Sequence, residues 1–229
     1  MASIVDEGAW LMDEAKKQDI ENSMGYYTCP RQELLPFLPP TIFHALDVGC
    51  GAGVFGESIK QRFGAEVYGL EYVPAAAARA RSRIDVVLEG DALEQLDYLP
   101  DDYFDFMSCN DVLEHLVEPG LFLKKIKPKL KKDATIIASI PNIRFIHALK
   151  SIVWNQDFPS EDSGIFDRTH LRFFTEKSIR RLFDDAGYTV ERLVGINPTP
   201  SIKFKLLNTL LLGRLADCRW MQFACVARP

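Results

Sequence analysis

Residues 46–53, Leu-Asp-Val-Gly-Cys-Gly-Ala-Gly, constrain the fold more than any other stretch of the chain. An apolar strand ends in an acid, Asp47, and runs into Gly49, Gly51 and Gly53 at alternate positions, before a helix that starts near Val54. Glycine has no Cβ, so the backbone here can turn tightly and lie against a ligand without steric cost. Strand, glycine turn and helix in that order begin an α/β arrangement.

The ends of this turn carry opposite preferences. The opening helix presents unpaired N–H groups and a positive dipole end, suited to a carboxylate or phosphate. Asp47 supplies a negative charge suited to a cation. A ligand with both charges at one end is an amino acid, and S-adenosylmethionine (SAM) is a nucleoside with a methionine tail. A dinucleotide is the competing reading, because Gly51, Gly53 and Gly56 satisfy G-x-G-x-x-G and Glu71 follows Gly51 by 20 residues. Two details weigh against it. Asp47 would repel a pyrophosphate, and a second acid, Asp91, follows an apolar strand over 85–89, where an adenine amino group can be received. A turn that merely packs a strand on a helix is the plain alternative.

Beyond the turn, apolar runs predict strands near 44–49, 66–70, 85–89, 103–109 and 134–140. Phe55, Ile59 and Phe63 mark one helix face, residues 74–82 a second helix behind Pro74, and Phe122, Ile126 and Leu130 a third over 119–130 that Pro128 should kink or shorten. Repeats of this kind imply a parallel sheet with helices on both faces. Thr175 should cap a further helix carrying Ile179, Leu182, Phe183 and Ala186, with Gly187 ending it. Strands follow near 188–196 and 220–227, the last expected as an antiparallel edge strand.

One domain is expected over 1–229, with N-terminal helices in 1–40 and lid-like insertions at 141–172 and 197–218. Each insertion holds an amphipathic helix: Ile146, Leu149, Ile152 and Val153 in the first, Leu206, Leu207, Leu210, Leu211 and Leu215 in the second. The first starts at a strand's carboxyl end and would form the acceptor-side lid. Extra core packing is the plain alternative for both helices, and contact with a membrane surface or a second subunit is another.

A net charge of −5 argues against nucleic acid as a partner, and the lysines over 124–132 fit a solvated helix face. Five cysteines without a C-x-x-C pair suit reduced thiols in a cytoplasmic protein. The first residues lack the pattern of a secretory signal, and no run of 18 apolar residues occurs.

Together, Leu46–Gly53, Gly69-Leu-Glu71, Gly90-Asp-Ala92 and Asp111-Val-Leu-Glu-His-Leu116 resemble class I SAM-dependent methyltransferases across about residues 25–195. The resemblance implies a Rossmann-like, seven-stranded, mostly parallel sheet with its last strand antiparallel. The nearest likeness is to the methyltransferase-11/23 type, which includes the ubiquinone-pathway O-methyltransferases. Ser139-Ile-Pro-Asn142 with Gly164-Ile-Phe-Asp-Arg-Thr-His-Leu-Arg-Phe-Phe-Thr175 further resembles bacterial methyltransferases found with glycosyltransferases in cell-surface polysaccharide synthesis. Carried over, Gly49, Gly51 and Gly53 would pass under the methionine portion of SAM, with Asp47 beside its amino group. Glu71 would take both ribose hydroxyls, Tyr72 would flank the adenine, and Asp91 with the Ala92 N–H would meet the adenine edge. Asn110 would contact the cofactor through its backbone, and Arg31 would reach the methionine carboxylate, unless it is a plain surface arginine.

Methyl transfer is an in-line displacement, so alignment dominates, and a hydroxyl acceptor needs a base or a metal to relieve its proton. His44 lies at the wrong end of the sheet, and His147 has no obvious partner. His115 is the candidate base; holding a loop carbonyl is its alternative. Asp111, Glu114 and His115 share a helix face at i, i+3 and i+4, which could hold a divalent cation such as Mg²⁺, as in some ubiquinone-type relatives. His170 could line the acceptor pocket with Arg172, or belong to a structural hinge in which Asp167 and Arg168 pair. The expected activity is SAM-dependent O-methylation of a sugar or similar small hydroxyl acceptor in glycan biosynthesis. Methylation of a quinone-like, phenolic or amine metabolite is the alternative, as is a non-catalytic SAM-binding scaffold acting through its leucine helix; a homo-oligomer is compatible with any of these.

Overall fold

The computed structural model describes residues 30–229. Most of the expected N-terminal helical region lies outside the described residues, and Gln32–Phe37 forms one short 3-10 turn. Seven strands make one sheet: β1 (His44–Val48), β2 (Glu66–Glu71), β3 (Val86–Glu89), β4 (Phe104–Asn110), β5 (Leu130–Pro141), β6 (Thr189–Pro198) and β7 (Trp220–Arg228), in the order β3-β2-β1-β4-β5-β7-β6. The first five pair in parallel, and β7 is antiparallel to both its neighbours.

Alternation along the strands divides the core between two faces. Ile136, Ala138 and Ile140 of β5 and Phe223, Cys225 and Ala227 of β7 join one cluster; Ile137, Ala224 and Val226 join the other. Helices cover both. Phe55 and Ile59 of α1 (Val54–Phe63) are buried with the second cluster, and Phe63 packs against it. Phe122 and Ile126 of α4 (Pro119–Ile126) are buried with the first. Between them come α2 (Pro74–Ala80) and α3 (Ala92–Gln95). The insertions hold α5 (Ile146–Leu149), which continues into a π-helical turn to Trp154, and α7 (Ile202–Leu210). No helix among the described residues is long and apolar enough to cross a membrane, and the four described cysteines are free and buried.

Three expectations change. The last strand is not at the edge: β7 lies between β5 and β6, and β6 is the edge. The physical reason is side-chain character. Phe223–Ala227 is a continuous apolar run that an interior strand buries on both faces, whereas β6 leaves the charged Glu191 and Arg192 exposed to solvent. The helix ahead of β5 ends at Ile126, shortened at Pro128 as expected, but Leu130 opens the strand instead of lying on the helix face. Finally, Val153 is exposed, while Ala148 carries the burial of the first insertion's helix, so the apolar face is narrower than the sequence suggested.

The connection from β1 leads to β2 on one side, and the chain then crosses to β4 on the other, so a crevice opens above the carboxyl ends of β1 and β4. At the far end of the sheet, α6 (Glu176–Asp185) starts in a capping box: the Ser178 N–H donates to Thr175 Oγ1 at 3.3 Å, and the Thr175 N–H donates to Ser178 Oγ at 2.8 Å. Ile179 and Phe183 then bury against the core. Thr175→Ala should lower unfolding free energy by about 1 kcal/mol, seen as a lower thermal midpoint with S-adenosylhomocysteine affinity unchanged.

Candidate active site

The glycine turn is clamped to the neighbouring strand. The Gly49 and Cys50 N–H groups both donate to Leu70 O, at 2.8 and 3.1 Å, and the Gly51 N–H donates to Glu71 Oε2 at 2.8 Å. Gly49 has φ 68° and Gly53 φ 79°, the left-handed region that glycine adopts freely. A Cβ on Gly49 would stand 2.5 Å from Val112 Cγ2, and one on Gly53 3.1 Å from Ala80 Cα. These turn amides are therefore used within the protein, and the glycines serve close packing and close approach.

Two buried acids stand behind the turn. Asp47 is 2 % exposed; Ser108 Oγ donates to its Oδ1 at 2.7 Å across the directly paired strand position, and the Gly56 N–H donates to it as well. Burial raises its pKa to about 6, against the lowering effects of Ser108, the Arg31 charge and Gly56. Glu71 accepts from the Val73 N–H at Oε1, 2.8 Å, as well as from Gly51 at Oε2, and burial likewise raises its pKa to about 6. With Tyr72 as a further backbone donor, three N–H groups reach a carboxylate that can accept about four hydrogen bonds, so acceptor capacity remains for a ribose hydroxyl.

The next residues frame an edge of the crevice. Asp91 caps α3 by accepting from the Leu93 N–H at 2.8 Å through Oδ1, while its buried Oδ2 has no partner. Burial pushes its carboxyl above the ordinary range. Ala92 follows, buried, and Tyr72 is half-buried just beyond β2. Asn110, at the end of β4, leaves its buried Oδ1 unpartnered. Arg31 turns its guanidinium inward, and Nη1 donates to Asp111 Oδ2 at 2.5 Å; it is not a plain surface side chain.

The crevice beyond β4 is built around Glu114, which is 1 % exposed with neither carboxylate oxygen hydrogen-bonded. Two imidazoles accompany it, their ring centroids 4.8 Å apart. His115 Nδ1 lies 3.2 Å from Thr169 O and 3.0 Å from Thr169 Oγ1, and that hydroxyl donates to Asp167 Oδ1 at 2.6 Å. With the Thr169 proton committed, Nδ1 of His115 must be the donor and Nε2 is left bare. His170 Nδ1 similarly meets Ile165 O at 3.0 Å, which leaves Nε2 as the ring nitrogen toward Glu114, 3.9 Å from its Oε1. Burial and the neighbouring His170 lower the His115 pKa to about 4. Burial and Asp111 hold the Glu114 carboxyl well above its usual range. A cavity of about 50 Å³ opens here, lined by Asp111, Glu114, Asp167, His170 and Gln222 with Pro141, Ile165 and Met221 among its apolar walls.

This cluster differs from the expected one. Leu113–His115 is a single 3-10 turn, not an α-helix, and Asp111 precedes it with φ 55°. The Asp111 carboxylate is also occupied, accepting from Arg31, from Ser139 Oγ at 3.0 Å and from Gln222 Nε2 at 2.7 Å. Glu114, His115 and His170 are brought together instead, with donor atoms within 4.8 Å of one another. Arg172 turns away to donate to Val117 O, and Arg168 pairs with Asp162, while Asp167 accepts from the Thr169 N–H and hydroxyl. His147 finds Thr199 Oγ1 at 3.4 Å, and His44 stands 3.7 Å from Asp105 at the opposite end of the sheet. Ser139 and Thr169 stood within the quoted motifs without a role, and Gln222 was missed; the glutamine ahead of the apolar run of β7 was the available signal.

Two outcomes test the turn. Gly49→Ala places a methyl against Val112 and strains the backbone by about 1–2 kcal/mol, so S-adenosylhomocysteine affinity measured by calorimetry should fall at least about tenfold. For Asp47, the folded chain holds a proton between its ordinary pKa of 3.8 and about 6 that the unfolded chain releases. Its contribution to stability is thus full at low pH and lost as pH rises through about 6. Thermal midpoints of the wild type relative to Asp47→Asn should therefore rise as pH falls through that window.

A family model described as a methyltransferase domain matches residues 25–193. The ubiquinone biosynthesis O-methyltransferase of Yersinia enterocolitica is 33 % identical over 184 residues, covering 77 % of this chain and 72 % of that one. Its counterpart from Aeromonas salmonicida is 27 % identical over 182 residues, covering 77 % and 73 %. Among solved structures, SAM-dependent methyltransferases from Aquifex aeolicus and Archaeoglobus fulgidus share the fold, with TM-scores of 0.60 and 0.59 at 20 % and 18 % identity; the first match covers 94 % of this chain and 98 % of that one, the second 94 % of each. With its glycine turn, paired acids and seven-stranded sheet, the chain belongs to the class I SAM-dependent methyltransferases and is an enzyme of that family.

Proposed function

We propose that this enzyme O-methylates a small hydroxylated acceptor, with a sugar of cell-surface glycan synthesis as the leading class. The carrying observation is the cavity beside the unpartnered Glu114 carboxylate, which His170, Asp111, Asp167 and Gln222 also line and next to which His115 is held at Nδ1 by Thr169. The segment 164–175 that supplies Gly164, Asp167 and His170 to this cavity is the one whose motif resembles the glycan-associated methyltransferases. On the donor side, the unpartnered Asp91 Oδ2 would accept from the adenine amino group and Glu71 from the ribose hydroxyls, and Arg31, while bonded to Asp111, would meet the methionine carboxylate.

Glu114, His115 and His170 fit a divalent cation. Each imidazole is oriented by a carbonyl at Nδ1, as metal-binding histidines are. Ligands about 2.1 Å from one ion stand about 3–3.5 Å apart, so donors spread over as much as 4.8 Å need to draw in by up to about 1.5 Å. Two nitrogens with one carboxylate suit Mn²⁺, Fe²⁺ or Zn²⁺ better than Mg²⁺. When bound, the cation supplies a Lewis acid that lowers the pKa of an acceptor hydroxyl. Asp111 and Gln222, bonded to each other in the cavity wall, orient the acceptor through polar contacts.

A phenolic or quinone-like acceptor is the second reading, favoured by the names of the similar O-methyltransferases and by the apolar cavity residues Ile165 and Met221. Turnover of SAM with a panel of sugars and phenols separates the two. His170→Ala and Glu114→Gln should retain S-adenosylhomocysteine affinity and lose at least about 100-fold in kcat. Both should also lose the visible absorbance that Co²⁺ gives when bound to the wild type. Full activity in both variants, or no Co²⁺ spectrum in the wild type, counts against this assignment.

A further inference from the structure

The connection between β6 and β7 departs from the rest of the protein in charge and in exposure. From Arg192 to Ala216 the sequence carries Arg192, Lys203, Lys205 and Arg214 and no acid, within a chain of net charge −5. Its helix, α7, holds to the body through buried Phe204, and one turn later Asn208 Oδ1 accepts from the Leu215 N–H at 3.0 Å. Directly opposite, Ile202, Leu206 and Leu210 form an outward stripe at i, i+4 and i+8, exposed by 80 %, 64 % and 71 %. At about 100° per residue, Lys203 and Lys205 fall on either side of Phe204 and so flank this stripe from both edges. Leu212, just past the helix, is 88 % exposed.

We propose that α7 is an interfacial helix by which the enzyme lies on an anionic lipid surface. An apolar stripe bordered by lysines is the arrangement in which side chains enter the acyl boundary while ammonium groups reach lipid phosphates. Protein interfaces are built differently, with aromatic and arginine anchors and few lysines. The absence of any acid across the segment gives complementarity to an anionic headgroup layer, where the remainder of this acidic protein would be repelled. The helix also stands at the functional end of the sheet: the strand it leads into, β7, contributes Met221 and Gln222 to the acceptor cavity. A protein held this way presents that cavity toward acceptors carried at the surface.

The inference does not depend on the acceptor's identity and is tested without turnover. Full-length protein is sedimented with vesicles of phosphatidylcholine alone and with vesicles of equal parts phosphatidylcholine and phosphatidylglycerol. Partition to the anionic vesicles only, weakened by salt, is expected. Leu206→Ser with Leu210→Ser should abolish it, and Lys203→Gln with Lys205→Gln should reduce it by roughly fivefold per charge. These residues are exposed, so the variants should keep the wild-type thermal midpoint and S-adenosylhomocysteine affinity. Absence of partition, or equal partition to both vesicles, overturns the proposal. So does concentration-dependent dimerisation without vesicle binding that the serine variant removes, which would assign the face to a second copy of the chain.

Discussion

The contact on which the donor side depends is the one between the Glu71 carboxylate and the backbone of the glycine turn. A glycine-rich turn is conformationally loose by itself, because glycine resists no backbone angle. Here Leu70 O and Glu71 take three consecutive N–H groups, so the turn is fixed to the last residues of β2. The strand register that pairs Val48 with Leu70 delivers those acceptors to the right place. Burying a carboxylate is costly, and the Gly51 and Val73 N–H groups offset part of that cost. The remainder is visible as the raised pKa of Glu71. Asp47 and Ser108 repeat the device on the other side of β1, so the turn is tied to both neighbouring strands.

Asp111 plays the corresponding part beside the Glu114 cavity. Its backbone is in the left-handed region, uncommon for a non-glycine residue though open to aspartate, and its side chain is held there by several partners. Arg31, Ser139 and Gln222 all donate to its side chain, joining the segment before β1 to the ends of β5 and β7. The sharp turn this produces at the end of β4 directs Glu114 into the protein. One residue thus links the arginine assigned to the methyl donor with the cavity assigned to the acceptor.

Most of the fold was legible because its signals are local. The strands stand out as apolar runs between turn residues, and Thr175, Gly187 and Pro128 punctuate the helices as their backbone chemistry requires. The position of β7 was not legible from order alone, since an antiparallel strand can pair at an edge or within a sheet. Its unbroken apolar run against the charged β6 held the answer, read through burial rather than topology. In the site, the residues along 46–53 and at Glu71 and Asp91 follow from strand ends. The grouping of His170 with Glu114 and His115 does not, because helical spacing points to Asp111 and only tertiary contacts show that carboxylate to be already occupied.

How two distant segments place their side chains so closely is answered by the backbone of Glu114 itself. Its carbonyl accepts from both the Leu171 and Arg172 N–H groups, at 2.8 and 3.0 Å. That double contact sets the register of the 164–172 segment against the 3-10 turn, so His170 arrives beside the carboxylate of the same residue. The segment then returns Thr169 and Asp167 to fix the ring of His115, and Ile165 O to fix the ring of His170. A slip of one residue would replace His170 by Thr169 or Leu171 and leave the buried carboxylate with no nitrogen facing it. Each imidazole also owes its tautomer to this segment, so backbone register and side-chain chemistry are set by one set of hydrogen bonds. The arrangement of Glu114, His115 and His170 is therefore a property of how 164–172 docks, and its precision comes from main-chain geometry more than from the side chains that would perform the chemistry.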